Sequence, residues 1–145
     1  MERKEYFYNP IDFDKDVAVG IQLPFGKTKG LFKLSYTTEE QAISNLKNLL
    51  LTRKGERLFQ PTFGSSVYTY LFEQFSPSFD SDIEESVRAD IAEWLPYIVV
   101  DSIVVDSEED RNRFKLSLNY RVTEQGANRE ITMFVDSTGE STLQG

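Results

Sequence analysis

Residues 81–105, SDIEESVRADIAEWLPYIVVDSIVV, decide the fold, because the spacing of the apolar side chains changes from helical to extended within them. Before Pro96 the apolar residues recur at helical spacing, and Ser81 with Glu84 matches a capping box. This pattern predicts a helix that ends at the proline. The predicted buried face holds Ile83, Val87, Ile91, Trp94 and Leu95, and the predicted wet face holds Glu84, Glu85, Arg88 and Asp90.

A sheet is predicted after Pro96. Residues 98–105 are rich in β-branched side chains, which favour strands. Residues 114–122 alternate strictly between apolar and polar side chains, so they predict a strand with one wet face. A third strand is predicted at 131–135, after a turn at Gln125-Gly126, and a polar tail at 137–145. The sheet is therefore expected to be a three-stranded antiparallel meander.

Two more helices are predicted upstream of residue 81. The sequence TEEQ at 38–41 fits a capping box, and the apolar spacing after it predicts a helix that continues to near Gly55, with Arg53 and Lys54 in its last turn. A shorter helix is predicted from Ser65 or Ser66 to Ser76-Pro77.

The expected architecture is a single α+β domain with three helices followed by the meander. Residues 1–36 are rich in turn-forming residues and are expected to be an arm packed on the domain. The domain itself is predicted at 37–136, and the tail at 137–145.

Composition excludes several functional classes. The chain has no Cys and no His, so it cannot build a disulfide, a thiolate metal site or a Ser/His/Asp or Cys/His catalytic site. A net charge of -8 argues against binding nucleic acid, which requires Lys and Arg to neutralise phosphates. No apolar run approaches the roughly 20 residues that span a bilayer, and the start has no apolar signal core. We therefore expect a soluble protein made in a cytoplasm, with no membrane or nucleic-acid partner and no cofactor.

Residues 50–64, LLTRKGERLFQPTFG, carry the most specific pattern in the chain. The pattern resembles that of the sheath-initiator family of contractile injection systems, the small baseplate wedge proteins of myophages with counterparts in type VI secretion and tailocin-like particles. The sequence FDKD at 13–16 and Leu71-Phe72 also fall in the family's order, so the resemblance covers residues 13–135. The matching residues are Thr52, Arg53, Gly55, Arg57, Pro61, Phe63 and Gly64.

The resemblance implies a structural, non-enzymatic part of a contractile-tail baseplate. It implies docking on baseplate wedge proteins and strand addition by the tail sheath protein, with the tail tube as a further candidate partner and a six-fold arrangement in the particle. The implied location is the virion, with assembly in the host cytoplasm. We expect the sheath strand to add at Ile131, Thr132, Met133, Phe134 and Val135, and the wedge contact to use Arg53, Gly55, Glu56, Arg57, Pro61, Phe63, Gly64, Leu95, Pro96 and Tyr97.

Two departures from the family pattern affect the expected wedge contact. Gln60 stands where phage relatives often carry an acidic residue, and Leu95-Pro96-Tyr97 stands where many relatives have Glu-Pro-Arg. Apolar and aromatic packing must then replace an ion pair, or the contact must use another patch. Arg57 either binds a partner carboxylate or partner backbone carbonyls with its planar donors, or serves internally as a helix cap or salt bridge. Leu58, Phe59 and Phe63 are expected to fill the core.

Other functions need arrangements that the sequence does not select. A glycosidase needs two carboxylates across a sugar cleft, and relatives have been labelled lysozyme-like, yet none of Glu56, Glu84, Glu85, Glu93 and Asp101 forms a recognisable pair. Metal binding by Asp106, Glu108, Glu109 and Asp110 lacks the glycine and terminal glutamate of an EF-hand. A small regulatory binding protein with the same domain is a further alternative. We assign no catalytic residue and no metal ligand.

Overall fold

The computed structural model describes residues 16–22, 33–73, 76–108, 113–122, 126–136 and 141–144. The chain forms two units, Met1–Asn45 and Leu46–Gly145. In the first unit, strands β1 (Gly20–Ile21) and β2 (Leu34–Ser35) pair in an antiparallel two-stranded sheet. The packing of an arm at 1–36 on the rest of the chain stays a prediction.

Helix α1 (Thr38–Leu51) begins at a reciprocal cap that lies one residue before the predicted one. The Thr37 hydroxyl accepts a hydrogen bond from the Glu40 backbone N–H at 3.2 Å, and the Glu40 carboxylate accepts one from the Tyr36 backbone N–H at 3.0 Å. These two bonds satisfy amide groups that have no partner inside the helix. The capping side chain is therefore Thr37.

The end of α1 also differs from the prediction, because the next residues pair with another segment. The helix ends at Leu51 and not near Gly55. The Ser65 backbone N–H donates to the Thr52 carbonyl at 2.8 Å, and Arg53 forms an isolated parallel bridge with Ser65. Arg53 therefore follows the helix and does not lie in its last turn.

The second helix is a 3₁₀ helix, η1 (Ser66–Phe72), shorter than predicted. Its cap is Ser65, as predicted, and the Ser65 hydroxyl accepts from the Val67 backbone N–H at 3.3 Å. Burial raises the pKa of the Tyr68 hydroxyl, which lies 2.9 Å from the Ser141 hydroxyl near the end of the chain. This contact ties η1 to the last strand of the sheet.

Helix α2 (Phe79–Trp94) begins before the predicted cap. Ser81 lies inside the first turn, where its hydroxyl donates to the Ser78 carbonyl at 2.7 Å, so the predicted capping box of Ser81 and Glu84 is wrong. The predicted end before Pro96 is confirmed. Three helices are therefore present, as predicted, among the residues that the structure describes.

The main sheet has four strands and not three. Strands β3 (Val99–Glu108), β4 (Arg113–Arg121), β5 (Arg129–Asp136) and β6 (Ser141–Gln144) are antiparallel neighbours in chain order. The predicted meander is correct for the first three strands, but part of the segment expected to be a polar tail forms β6. Strand β6 pairs with the backbone N–H and C=O groups on the outer side of β5, which in a three-stranded sheet would have only water as a partner.

The core lies on one face of the sheet, as the alternation predicted. Phe79 at the start of α2 meets Phe114 of β4 with ring centroids 6.2 Å apart, which places the helix against this face. Among the described residues, no helix combines the length and apolar character that a membrane span requires. The buried strand residues are Ile103, Phe114, Leu116, Leu118, Tyr120, Ile131, Met133 and Val135.

Replacement of Leu116 by Ala should strongly destabilise the protein. Leu116 is fully buried on the internal strand β4, so its loss leaves a cavity and should cost about 2 to 5 kcal/mol. Chemical denaturation measures this change in the free energy of unfolding. Lys115→Ala is the control, because Lys115 is an exposed neighbour on the same strand and should cost much less. Equal losses in the two variants would place the core on the wrong face.

Candidate protein-docking site

The segment 52–65, which we name the motif loop, is closed by backbone hydrogen bonds. Besides the Ser65 to Thr52 bond at its base, the Gly55 N–H donates to the Pro61 carbonyl at 2.7 Å. Gly64 has φ of 132°, and a Cβ there would lie 2.7 Å from the Thr52 carbonyl oxygen. Glycine is therefore required at this position, since any side chain would be strained and would collide with the backbone.

A buried carboxylate on α2 anchors the motif loop. One oxygen of Asp90 accepts from the Ser66 backbone N–H at 2.7 Å, and the other accepts from Lys54 Nζ at 2.5 Å and from the Ser66 hydroxyl at 3.2 Å. The Asp90 side chain is only 5% exposed. The expectation that Asp90 faces water is wrong, because Lys54 and Ser66 supply the partners that a buried charge requires.

The structural role of Asp90 is not among the predictions from the sequence, although its position carries one signal for it. Asp90 lies three residues after Val87 and four before Trp94, which is helical spacing along the predicted buried face. A charged residue at such a position has to be paired if the helix packs as its apolar neighbours indicate.

An aromatic stack connects the motif loop to the end of α2. The guanidinium carbon of Arg57 lies 3.8 Å from the centroid of the Phe63 ring, and Phe63 meets Trp94 edge-on with centroids 5.2 Å apart. Trp94 is half-buried, and its indole Nε1 is buried without an acceptor in the described part of the chain. Phe63 is thus packed, as expected, and the guanidinium of Arg57 stacks on its ring.

Leu58 and Phe59 lie at the exposed tip of the motif loop. Their side chains are 94% and 100% exposed, so the expectation that they fill the core is wrong. The Gln60 N–H donates to the Arg57 carbonyl at 3.3 Å, and this turn directs the two residues between them away from the domain.

The residues expected to make the wedge contact form two groups. One group lies in the motif loop, where Phe63 contacts Trp94, and the other, Leu95-Pro96-Tyr97, directly follows Trp94 in the chain. Leu95 is buried, which removes its side chain from any surface contact, whereas Pro96 and Tyr97 are exposed. The carboxylate of Glu56 accepts from the Arg53 backbone N–H at 3.1 Å and so helps to shape the loop.

The expected strand-addition edge is not an edge. Strand β5 lies between β4 and β6, and residues Thr132–Val135 pair with β6 on their outer side. Of the residues expected to take up a sheath strand, Thr132, Met133, Phe134 and Val135 are already paired with the chain's own β6, whereas Ile131 has no partner in β6. The outermost strands of the described sheet are β3 and β6.

Three of the acidic residues considered for glycoside hydrolysis, Glu56, Glu84 and Asp101, have structural partners. Glu84 pairs with Arg88 at 2.9 Å, and Asp101 pairs with Arg121 at 2.6 Å. The hydrogen bonds from Arg121 lower the pKa of Asp101, which is opposite to what a general acid needs. Within the described residues, no group of three acidic side chains is arranged to hold a metal ion; residues 109 and 110 of the acidic turn lie outside them.

Comparisons with known proteins show similarity to baseplate components. The sequence model of the family described as baseplate wedge protein gp25 matches residues 37–127. A protein from Geobacter sulfurreducens described as a tail lysozyme is 23% identical, with a TM-score of 0.60 over 69% of this chain and 91% of that chain. No curated protein gave a significant match.

Two baseplate assemblies contain chains with a similar fold. The match to the type VI secretion system baseplate is 14% identical, with a TM-score of 0.51, and covers 72% of this chain and 92% of that chain. The match to the anti-feeding prophage baseplate is 14% identical, with a TM-score of 0.50, and covers 79% of each chain. At these identities the likeness shows the fold.

Loss of the Asp90 carboxylate should loosen the motif loop. Asp90→Ala leaves the partly buried Ser66 N–H without its acceptor and Lys54 without its counter-charge, so we expect a cost of about 2 to 3 kcal/mol. Urea denaturation measures this cost, and faster amide exchange at Ser66 should accompany it. Glu84→Ala breaks an exposed pair on the same helix and should cost only about 0.3 to 0.5 kcal/mol. Equal effects of the two changes would contradict an anchoring role for Asp90.

The fluorescence of Trp94 should report on the aromatic stack, because Trp94 is the single tryptophan in the chain. Phe63→Ala removes the ring that covers one side of the indole, so we expect the emission to move to longer wavelength and acrylamide quenching to increase. Phe72→Ala is the control, because Phe72 is 83% exposed and should leave the emission unchanged. An unchanged spectrum in Phe63→Ala would show that the indole does not rely on Phe63.

Proposed function

Because the chain belongs to the baseplate wedge protein gp25 family, a family of structural baseplate components, we propose that it docks on neighbouring wedge proteins and nucleates assembly of the sheath. The observation that carries the proposal is the combination, in one unit, of a pinned loop bearing the family motif and a sheet with a long outer strand. The first suits attachment to a fixed neighbour, and the second suits extension by another chain.

Docking through the motif loop is supported by its rigidity. The hydrogen bonds at its base, the Asp90 anchor and the Arg57–Phe63–Trp94 stack hold the loop in one conformation. A surface that is ordered before binding does not lose that conformational entropy on association. We therefore propose that the wedge contact uses this loop together with the exposed Tyr97.

Strand addition is proposed at β3, since β5 is internal. Strand β3 has ten residues, whereas β6, at the other edge, has four, so β3 can offer more main-chain hydrogen bonds to an added strand. The first part of this edge is already in use, because Arg88 on α2 donates to the Val100 carbonyl at 3.2 Å. The added strand is therefore expected along residues 102–108.

The charges on β3 support a selective edge. Asp101 and Glu108 pair with Arg121 and Arg113 of β4, so the ends of the strand are tied to the sheet. Val104, between them, is 55% exposed. Charged residues on an outer strand discourage unspecific pairing, and a correct partner has to bring complementary side chains as well as backbone. The sheath protein is the proposed partner at this edge.

The remaining parts of the proposal concern the assembled particle. The family is one of baseplate components, and we propose that this chain occurs in the baseplate of a contractile tail in a six-fold arrangement, with the tail tube as a further neighbour and the host cytoplasm as the place of assembly. We propose no catalytic activity. The description of one structural neighbour as a tail lysozyme applies to that protein, and no described carboxylate pair here supports the chemistry.

Proline at adjacent positions of β3 should separate folding from sheath nucleation. Consecutive residues of an antiparallel strand direct their N–H groups to opposite sides, so one of Val104→Pro and Val105→Pro removes an outward donor and the other a donor to β4. We expect the outward variant to stay folded and enter the baseplate but to fail in sheath assembly, as seen by electron microscopy of particles. Thr132→Pro, on the internal β5, should instead prevent folding.

This experiment tests strand addition at β3 separately from the structural role in the baseplate. If sheath grows normally on particles that carry the folded proline variant, the sheath does not add at β3. If neither the wild-type protein nor its variants enter a baseplate, the structural role itself is contradicted.

A further inference from the structure

Two large apolar side chains lie at the tip of the motif loop, where they are not packed against the described part of the domain. Leu58 and Phe59 are almost fully exposed and adjacent in sequence. Soluble proteins do expose apolar side chains, but a pair held outward on an ordered loop is a feature of contact surfaces. Phe72 is also 83% exposed, but it stands at the end of η1 without such a loop.

The tip is presented by a rigid base. The Gly55 to Pro61 hydrogen bond closes the loop behind it, and the turn from Arg57 to Gln60 contains both apolar residues. Anchored aromatic and aliphatic side chains of this kind are the residues that contribute most to binding when they enter a pocket. The geometry therefore favours insertion of the tip into a concave surface over contact with a flat one.

Arg57 places hydrogen-bond donors beside the tip, and a partner that covers the tip has to supply acceptors for them. Its guanidinium stacks on Phe63, which fixes its position while the N–H donors, lying in the guanidinium plane, remain directed past the ring. Within the described residues, no carboxylate forms an ion pair with it. Of the three basic residues in segment 53–57, Lys54 is paired with Asp90, so Arg57 is the cation that lies beside the tip.

We infer that Leu58 and Phe59 insert into an apolar socket on an adjacent wedge protein, and that a carboxylate at the rim of this socket binds Arg57. This inference rests on the proposed docking function and names the chemistry of the docking partner.

The test measures binding to a defined partner. The other wedge proteins encoded with this chain are assembled without it and immobilised, and the affinity of the purified chain is measured by biolayer interferometry. The double variant Leu58→Ser with Phe59→Ser should bind at least about 30-fold more weakly, because it loses both apolar anchors. Phe72→Ser, the matched control for an exposed apolar residue, should bind within about threefold of the wild type.

The role of Arg57 is tested in the same assay with a conservative change. Arg57→Lys keeps the charge but loses the planar fork of donors, and it should weaken binding about tenfold. The double variant should retain its Trp94 emission and melt within about 2 °C of the wild type, because Leu58 and Phe59 make no core contact. Arg57→Lys also loses the guanidinium that stacks on Phe63, so its Trp94 emission is compared with that of the wild type to separate loss of the donors from disturbance of the stack.

Several outcomes would overturn the inference. If the wild type binds and the double variant binds equally well, the socket does not exist, although docking through another surface stands. If the wild type does not bind the wedge at all, the proposed docking function fails together with the inference. Self-association or binding to phosphatidylglycerol vesicles that only the double variant abolishes would assign the tip to a second copy or to a membrane.

Discussion

The Asp90 carboxylate is the interaction on which the motif loop depends. It accepts hydrogen bonds from Lys54 just after α1 and from Ser66 at the start of η1, and so holds both ends of the loop against α2. A carboxylate buried on an amphipathic helix is stable only when such partners neutralise it and satisfy its oxygens. The loop and the helix therefore have to form together.

The anchored base determines what the rest of the loop can do. Phe63 is directed inward onto Trp94 and carries Arg57 on its outer face, whereas Leu58 and Phe59 are left in water. The same loop thus contributes one aromatic ring to the domain and two apolar side chains to the surface. This division separates the residues that maintain the loop from those available to a neighbour.

The sheet shows the same dependence on contacts between distant parts of the chain. Strand β6 covers Thr132–Val135 of β5, and the Tyr68 to Ser141 contact ties it to η1. As a result, the outer strands of the described sheet are the ten-residue β3 and the four-residue β6. The ion pairs from β3 to β4 hold this outer strand to the sheet.

The sequence by itself determined the α+β class, the helix that ends before Pro96, the first three strands of the sheet and the family resemblance of residues 50–64. Local periodicity records which face of an element meets a core, and turn and cap residues record where the element ends. The sequence did not determine that Asp90 is buried, since its partners Lys54 and Ser66 are 36 and 24 residues away along the chain.

Only the tertiary structure decided which apolar residues leave the core and which strand forms an edge. Leu58 and Phe59 are as apolar as the residues of the core, so the sequence does not distinguish them from buried residues. They are exposed because the backbone hydrogen bonds that close the loop place them at its tip. The short polar strand β6 carries no alternating apolar pattern, and it forms because β5 offers unpaired backbone groups beside it. Backbone pairing of this kind depends on position in space and leaves little trace in side-chain periodicity.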